Sequence, residues 1–226
     1  ILGILQLILK NYSIMSIIHS SIIKLGDQFF NRRDVVRIAR ELIGKVLVTS
    51  FDGLPTSGRI VETEAYVGIT DRASHAFGGR RTERTDIMYK KAGTSYVYLC
   101  YGIHHLFNVV TNKENIPHAI LVRALQPLEG IETMLQRTGK KKLDHTLTRG
   151  PGNLSKALGL TTRHSGEDLF GDDLFIGEDG FKIHASDIVV TSRIGVEYAG
   201  EDARLPYRFF LKGNPFVSGK KGNSAK

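Results

Sequence analysis

The spacing of apolar residues shifts along this chain, and each shift marks an element. In NRRDVVRIARELIG, Val35, Ile38, Ala39 and Leu42 recur at intervals of three and four, the stripe of an amphipathic helix. Asn31 is placed to cap it, Asp34 falls in the first turn where negative charge suits the helix dipole, and Gly44 is a natural stop. KVLVTSF follows as a strand, Asp52-Gly53 marks a turn, and GRIVETEAYVG returns as a second strand, so the two read as a hairpin or as sheet neighbours. SYVYLCYG, FNVVT and HAILVRAL read as three more strands. Pro127 is expected to open a helix over LEGIETMLQRTG, with Ile131, Met134 and Leu135 on one face, and Pro151 a short helix that stops at Gly159. Residues 163–180 are acidic and Gly-rich, which predicts a turn-rich surface segment, and DIVVTSRIGV and RFFLKG read as late strands. Strands and helices mix without regular βαβ alternation, which predicts a single α+β domain with a mainly antiparallel sheet and flanking helices.

Composition narrows the setting. The 226 residues suit one domain, with no internal repeat and no clear linker. A net charge of +8 favours a polyanionic partner, nucleic acid or an anionic surface. Cys100 is the only cysteine, so an internal disulfide and a thiolate-rich zinc site are excluded and a reducing, intracellular location is expected. The apolar N-terminus is interrupted by Lys10, Asn11 and His19, and its longest clean run is too short to span a bilayer. Met15 is the first methionine, and it is taken as the expected start, with residues 1–14 as upstream read-through.

Chemistry concentrates in the middle of the chain. Strand alternation puts Glu62, Glu64 and Tyr66 on one face, with the two carboxylates roughly 7 Å apart. They read either as a solvated strand face or as a catalytic carboxylate desolvated by its neighbours. Tyr96 and Tyr98 share a face, and Tyr101 either alternates away or is presented from a turn at Gly102. These rings suit strand propensity or base stacking. Residues 68–95 form a long polar stretch of the kind that is usually functional, and Arg80, Arg81, Arg84, Lys90 and Lys91 crowd it. That cluster reads as solvated charge or as a set of phosphate contacts. Asp71, His75, His104 and His105 lie nearby without an HExxH or a cysteine ligand set, so no metal site is predicted, and the absence of a P-loop or GxGxxG predicts no nucleotide cofactor.

Six stretches in order carry a resemblance: GRIVETEAYVG, DRASHAFGGR, GTSYVYLCYGIHHLFNVV, ILVRALQPLEG, GPGNLSKALG and SRIGVEYAGEDARLPYRFFLKGNPFVS. Together they resemble the alkyladenine (3-methyladenine) DNA glycosylases of the mammalian methylpurine type. The resemblance covers residues 28–218, leaving residues 1–27 as an N-terminal extension and 219–226 as a tail expected to be disordered. It implies a compact α+β domain with a curved antiparallel sheet, no metal and no organic cofactor. It implies base-excision repair by hydrolysis of the N-glycosidic bond of alkylated or deaminated purines, with the nucleotide flipped out and an abasic site left without strand cleavage. The implied partner is double-stranded DNA holding a damaged purine, met by a monomer away from any membrane, in the cytoplasm at the nucleoid of a bacterium or in a eukaryotic nucleus.

By motif position, Glu64 matches the general base, Arg123 the arginine that helps hold the attacking water, and the carbonyl of Ile194 a backbone acceptor on that water. Tyr66, His75 and Tyr98 match the side chains that sandwich the flipped base, and Asn108 the floor residue opposing the amino group of guanine. Tyr101 matches a wedge into the duplex, carried with Gly102 and Ile103, and Arg80, Arg81 and Arg84 are expected on the DNA. Glu62 matches no role. Glu83, Thr85 and Ala92 stand where the family more often has proline, asparagine and proline, and Gln126 where it often has glutamate.

Overall fold

The computed structural model describes residues 22–219. The expected start at Met15 and the tail from residue 220 lie outside those residues. Among the described residues nine strands form one sheet: β1 (Ile23–Lys24), β2 (Val46–Phe51), β3 (Leu54–Tyr66), β4 (Ser95–Cys100), β5 (His104–Thr111), β6 (His118–Glu129), β7 (Leu174–Glu178), β8 (Ile188–Thr191) and β9 (Arg208–Leu211). The main order is β1-β7-β2-β3-β6-β5-β4, and β9 pairs both β3 and β8. Every pairing is antiparallel, as the α+β reading expects.

β3 is the spine. One edge runs along β6, while the other is shared, β2 taking its first half and β9 taking Glu62–Glu64. Alternation splits the sheet's two faces. Ala65, Val97, Phe107, Val109, Ile120 and Val122 turn into the main core, with Ile38, Ala39 and Leu42 from the helix Val35–Glu41 region and Leu154, Ala157 and Leu158 from the helix Pro151–Leu158. Thr63 faces the same way and donates to the Ala39 carbonyl at 2.8 Å. On the opposite face, carrying Glu62, Glu64 and Tyr66, Ala76, Met88 and Tyr89 from the 68–95 stretch pack against Tyr96, Val110 and Ala119.

Local chemistry decides three element boundaries against the sequence reading. Asp34, not Asn31, caps the helix Val35–Glu41: its side chain accepts from the Arg37 N–H at 2.9 Å, and Asn31 instead closes the short helix Asp27–Phe30. Pro127 opens no helix. β6 runs through it to Glu129, because Pro127 lies opposite Gly58 beside a register shift where a missing N–H costs the ladder little. The helix Ile131–Thr138 starts only after Gly130, whose φ of 69° and close approach to the Pro55 carbonyl admit no side chain. Finally, the acidic 163–180 segment holds β7, in which Leu174, Phe175 and Ile176 are buried between β1 and β2.

Candidate functional site

The open face of the sheet is the floor of a cavity of about 370 Å³. One row of directly opposed residues crosses it: Glu64 on β3, Leu121 on β6, Asn108 on β5 and Tyr96 on β4. The neighbouring positions add Tyr66 opposite Ala119 and Tyr98 opposite Leu106. Residues from the 68–95 stretch and from 194–198 supply the remaining walls. Period-two alternation therefore brings together acids, tyrosines and an asparagine from three strands, with Leu121 and Ala119 of β6 between them.

Pairing is irregular where the charges sit. Ile60 lies opposite Leu125, Glu62 opposite Ala124 and Thr63 opposite Val122, so Val61 and Arg123 have no residue across from them. Such an irregularity re-aims side chains, and here it sends Arg123 between the two acids. Its Nε donates to Glu62 at 3.0 Å, its Nη1 to Glu64 at 3.2 Å and its Nη2 to the Ser218 hydroxyl at 3.2 Å. Burial works against the Arg123 charge, but Glu64 and Glu62 outweigh it and raise its pKa.

The acids are both fully buried yet differ in occupancy. Glu62 accepts four hydrogen bonds: Arg123 Nε, Arg208 Nε at 2.7 Å, and the Ser218 N–H and hydroxyl at 2.6 and 3.0 Å. A carboxylate offers about four acceptor positions, so Glu62 is saturated. Glu64 accepts three: Tyr66 hydroxyl at 3.0 Å, Arg123 Nη1, and the Ile194 N–H at 2.8 Å. All three of these donors line the cavity, with Glu64 directly behind them. The solvated-face reading of the two acids is thus overturned.

The rings interlock. His75 meets Tyr98 edge-on at 4.6 Å between centroids, and Tyr96 and Tyr98 are 5.4 Å apart. The His75 Nδ1 and the Tyr96 hydroxyl are hydrogen-bonded at 2.8 Å. Burial pushes His75 down to about 4, with Arg84 and Arg80 adding to the effect, so the imidazole is neutral at physiological pH. Burial pushes Tyr96 up to about 12, and raises Tyr66 and Tyr98 as well, so these phenols keep their protons. Asn108 is anchored through its Nδ2, which donates to the carbonyls of Tyr96 and Leu106 at 3.1 and 3.2 Å.

At the rim, β4 and β5 join through Tyr101, Gly102 and Ile103. Tyr101 stands 90% exposed with φ 52°, a left-handed conformation uncommon for a tyrosine, and Ile103 is also exposed. The arginines separate by environment. Arg84 lines the cavity, with its guanidinium 6.0 Å from the Tyr98 ring. Arg81 is engaged by Asp86 at 2.7 Å, by Asn115 and by the Tyr89 ring, while Arg80 is exposed. Thr85 is buried and knotted to Thr82 by mutual hydrogen bonds, so this loop is braced by hydroxyls.

Several participants escaped the sequence reading. Tyr198 lines the cavity and donates to the Ala73 carbonyl at 3.1 Å. Arg193 is another: it forms a buried two-pronged pair with Asp71, which the sequence reading weighed only as a metal ligand, and it also donates to the Ala65 carbonyl and lies 4.9 Å from the Tyr66 ring. This pair fastens the 193–202 wall to the end of β3. Tyr96 was placed beside Tyr98 by alternation, but its link to His75 had no signal in the order of residues. Among the described residues, no cluster of three His, Cys, Asp or Glu side chains is arranged to hold a metal, and no helix is long and apolar enough to cross a membrane.

Comparison with known proteins shows the family of the chain. The profile of the Methylpurine-DNA glycosylase (MPG) family matches residues 28–215. A protein of Desulfitobacterium hafniense named "Putative 3-methyladenine DNA glycosylase" is 45% identical over 204 residues, covering 87% of this chain and 99% of its own. Proteins of the same name from Chlamydia pneumoniae and Clostridium acetobutylicum are 46% and 45% identical, covering 87% and 86% of this chain and 98% and 97% of their own.

Proposed function

The chain belongs to the methylpurine-DNA glycosylase family, and on that premise we propose that it removes alkylated or deaminated purines from double-stranded DNA by flipping the nucleotide into the cavity and hydrolysing its glycosidic bond. The observation that carries this reading is the contrast between the acids. Glu62 is saturated, whereas Glu64 keeps about one acceptor position behind three donors that line the cavity.

A purine stacked in a duplex cannot reach such a recess, so it must be extruded, at a cost of a few kcal/mol. Tyr101, exposed at a strained hairpin tip, fills the vacated space. The base then lies among Tyr66, His75 and Tyr98. Many alkylated purines are cations, which aromatic faces attract and which a charged imidazole would repel. The neutral His75 suits them. Water held by Glu64 and Arg123 attacks the sugar carbon, and its proton passes to the Glu64 carboxylate. The glycosidic bond breaks with its electron pair going to the purine, so a cationic base leaves neutral and an uncharged one leaves as an anion that takes a proton from water. The buried carboxylate also stabilises the positive charge that develops on the sugar. Among the described residues no lysine lines the cavity, which supports hydrolysis to an abasic site with the strand intact. We take the protein to act as a monomer.

The test is release of purine from methylated duplex DNA. Glu64→Gln keeps the shape of the side chain and removes its basicity, and excision should fall by at least about a hundredfold. Release at the unaltered rate would remove Glu64 from the mechanism. A panel of alkylated adenine, alkylated guanine, deaminated adenine and etheno adducts ranks the substrates, and intact product strands test the monofunctional reading.

A further inference from the structure

Glu62 is the buried acid that the excision chemistry leaves without a part. It is fully buried, does not line the cavity, and gathers two arginines and the backbone and hydroxyl of Ser218. Arg123 reaches Glu64 only through Nη1, while its Nε is fixed on Glu62 and its Nη2 on Ser218. A guanidinium is planar and rigid, so two anchored corners set the direction of the third. We propose that Glu62 and Ser218 are positioning residues for excision: they hold Arg123 in the orientation it presents to Glu64 and its water. This rests on the reading of Glu64 as the base.

Two further observations point the same way. The four charged groups balance, with Glu62 and Glu64 against Arg123 and Arg208, so Glu62 keeps the second arginine's charge away from Glu64. The segment bearing Ser218 is also tied down from several sides. Asn214 donates to Gln126 at 2.8 Å, Arg149 donates to the Val217 carbonyl at 2.8 Å, and Arg208 Nη2 donates to the Ser218 carbonyl at 2.8 Å. Gln126 thereby has a use here: it accepts from the segment that completes the Arg123 seat. A surface strand has no need of so many anchors on so short a stretch. An arginine whose aim matters does.

Single-turnover excision of an alkylated purine from duplex DNA tests this in four full-length proteins: unaltered, Glu62→Gln, Arg123→Gln and the double variant. Glu62→Gln should slow excision about tenfold or more while Kd for the same duplex stays within about twofold, because Glu62 is fully buried and does not line the cavity. In the Arg123→Gln background the same change should cost less than about twofold, since the group it positions is gone. An unimpaired Glu62→Gln, or equal losses in both backgrounds, overturns the proposal. If Glu62→Gln does not fold, Ser218→Ala replaces it, with about a three- to tenfold loss expected because its hydroxyl both accepts from Arg123 and donates to Glu62, and again little in the Arg123→Gln background; an unchanged rate overturns the proposal. Glu64→Gln run alongside separates the two readings. Full activity there removes the base assignment, whereas an inactive Glu64→Gln beside an unimpaired Glu62→Gln removes only the positioning role.

Discussion

Replacing Asp71 by asparagine should destabilise the protein through the arginine it leaves behind. Asp71 and Arg193 are both buried, and the aspartate receives two guanidinium bonds together with the N–H groups of Val67 and Ala73 at 3.0 Å each. Asparagine keeps the shape and one acceptor oxygen but removes the charge, and stranding one member of a buried pair costs about 3–5 kcal/mol. Arg193 retains the carbonyls of Ala65 and Asp202, at 2.9 and 3.1 Å, which places the loss at the lower end, about 3 kcal/mol. At about 2–4 °C per kcal/mol for a chain of this size, Asp71→Asn should melt about 6–12 °C below the unaltered protein. Circular dichroism on heating measures it. Adding Arg193→Met removes the stranded charge, so the double variant should recover at least half of the loss. An Asp71→Asn protein that melts within about 2 °C of the original, or a double variant that melts lower than the single one, would refute the reasoning. Excision should fall in both variants, because Arg193 precedes Ile194, whose N–H holds Glu64.

The rim and the ring cluster give two more expectations. Tyr101→Gly releases a left-handed φ at an exposed site, so Tm should hold or rise by an amount worth up to about 1 kcal/mol, while excision from duplex DNA drops; equal loss of stability and activity would count against the wedge. His75 titrates at about 4 in the folded protein against 6.5 when free, so the unfolded chain takes up the proton first as pH falls. Stability is then lost between pH 6.5 and 4, by up to about 3 kcal/mol, and His75→Gln should flatten the fall in Tm across that interval.

Most of the sheet was legible because its signals are local. The alternation in VETEAY put Glu64 and Tyr66 on one face of their strand, and that in SYVYLCYG put Tyr96 and Tyr98 on one face of theirs, as found, and Gly159 ends its helix as read. The turn at Asp52-Gly53 follows from two positive φ values that those residues tolerate. The misreadings came where a local rule met a non-local one. Pro127 carries a helix-opening signal, but the pairing with Gly58 keeps it in a strand. Leu174–Ile176 is too short an apolar run to stand out among acids, yet pairing with β2 draws it into the sheet, where all three residues are buried. The ties to Glu62 from Arg208 and Ser218 span 146 and 156 positions, and no pattern within a window can reveal them.

Those spans also set when the site can exist. Glu62 and Glu64 are made early, but their partners arrive at residues 123, 194, 208 and 218. At 5–20 residues per second, Ser218 follows Glu62 out of the ribosome by about 10–30 s. Through that interval the two acids occupy a strand whose shared edge has no β9 and whose cluster lacks a cation, so their burial is uncompensated and the central strand gains little by docking early. The centre of the sheet is thus written early and settled late. A chain interrupted before β9 holds both carboxylates with Arg123 alone between them.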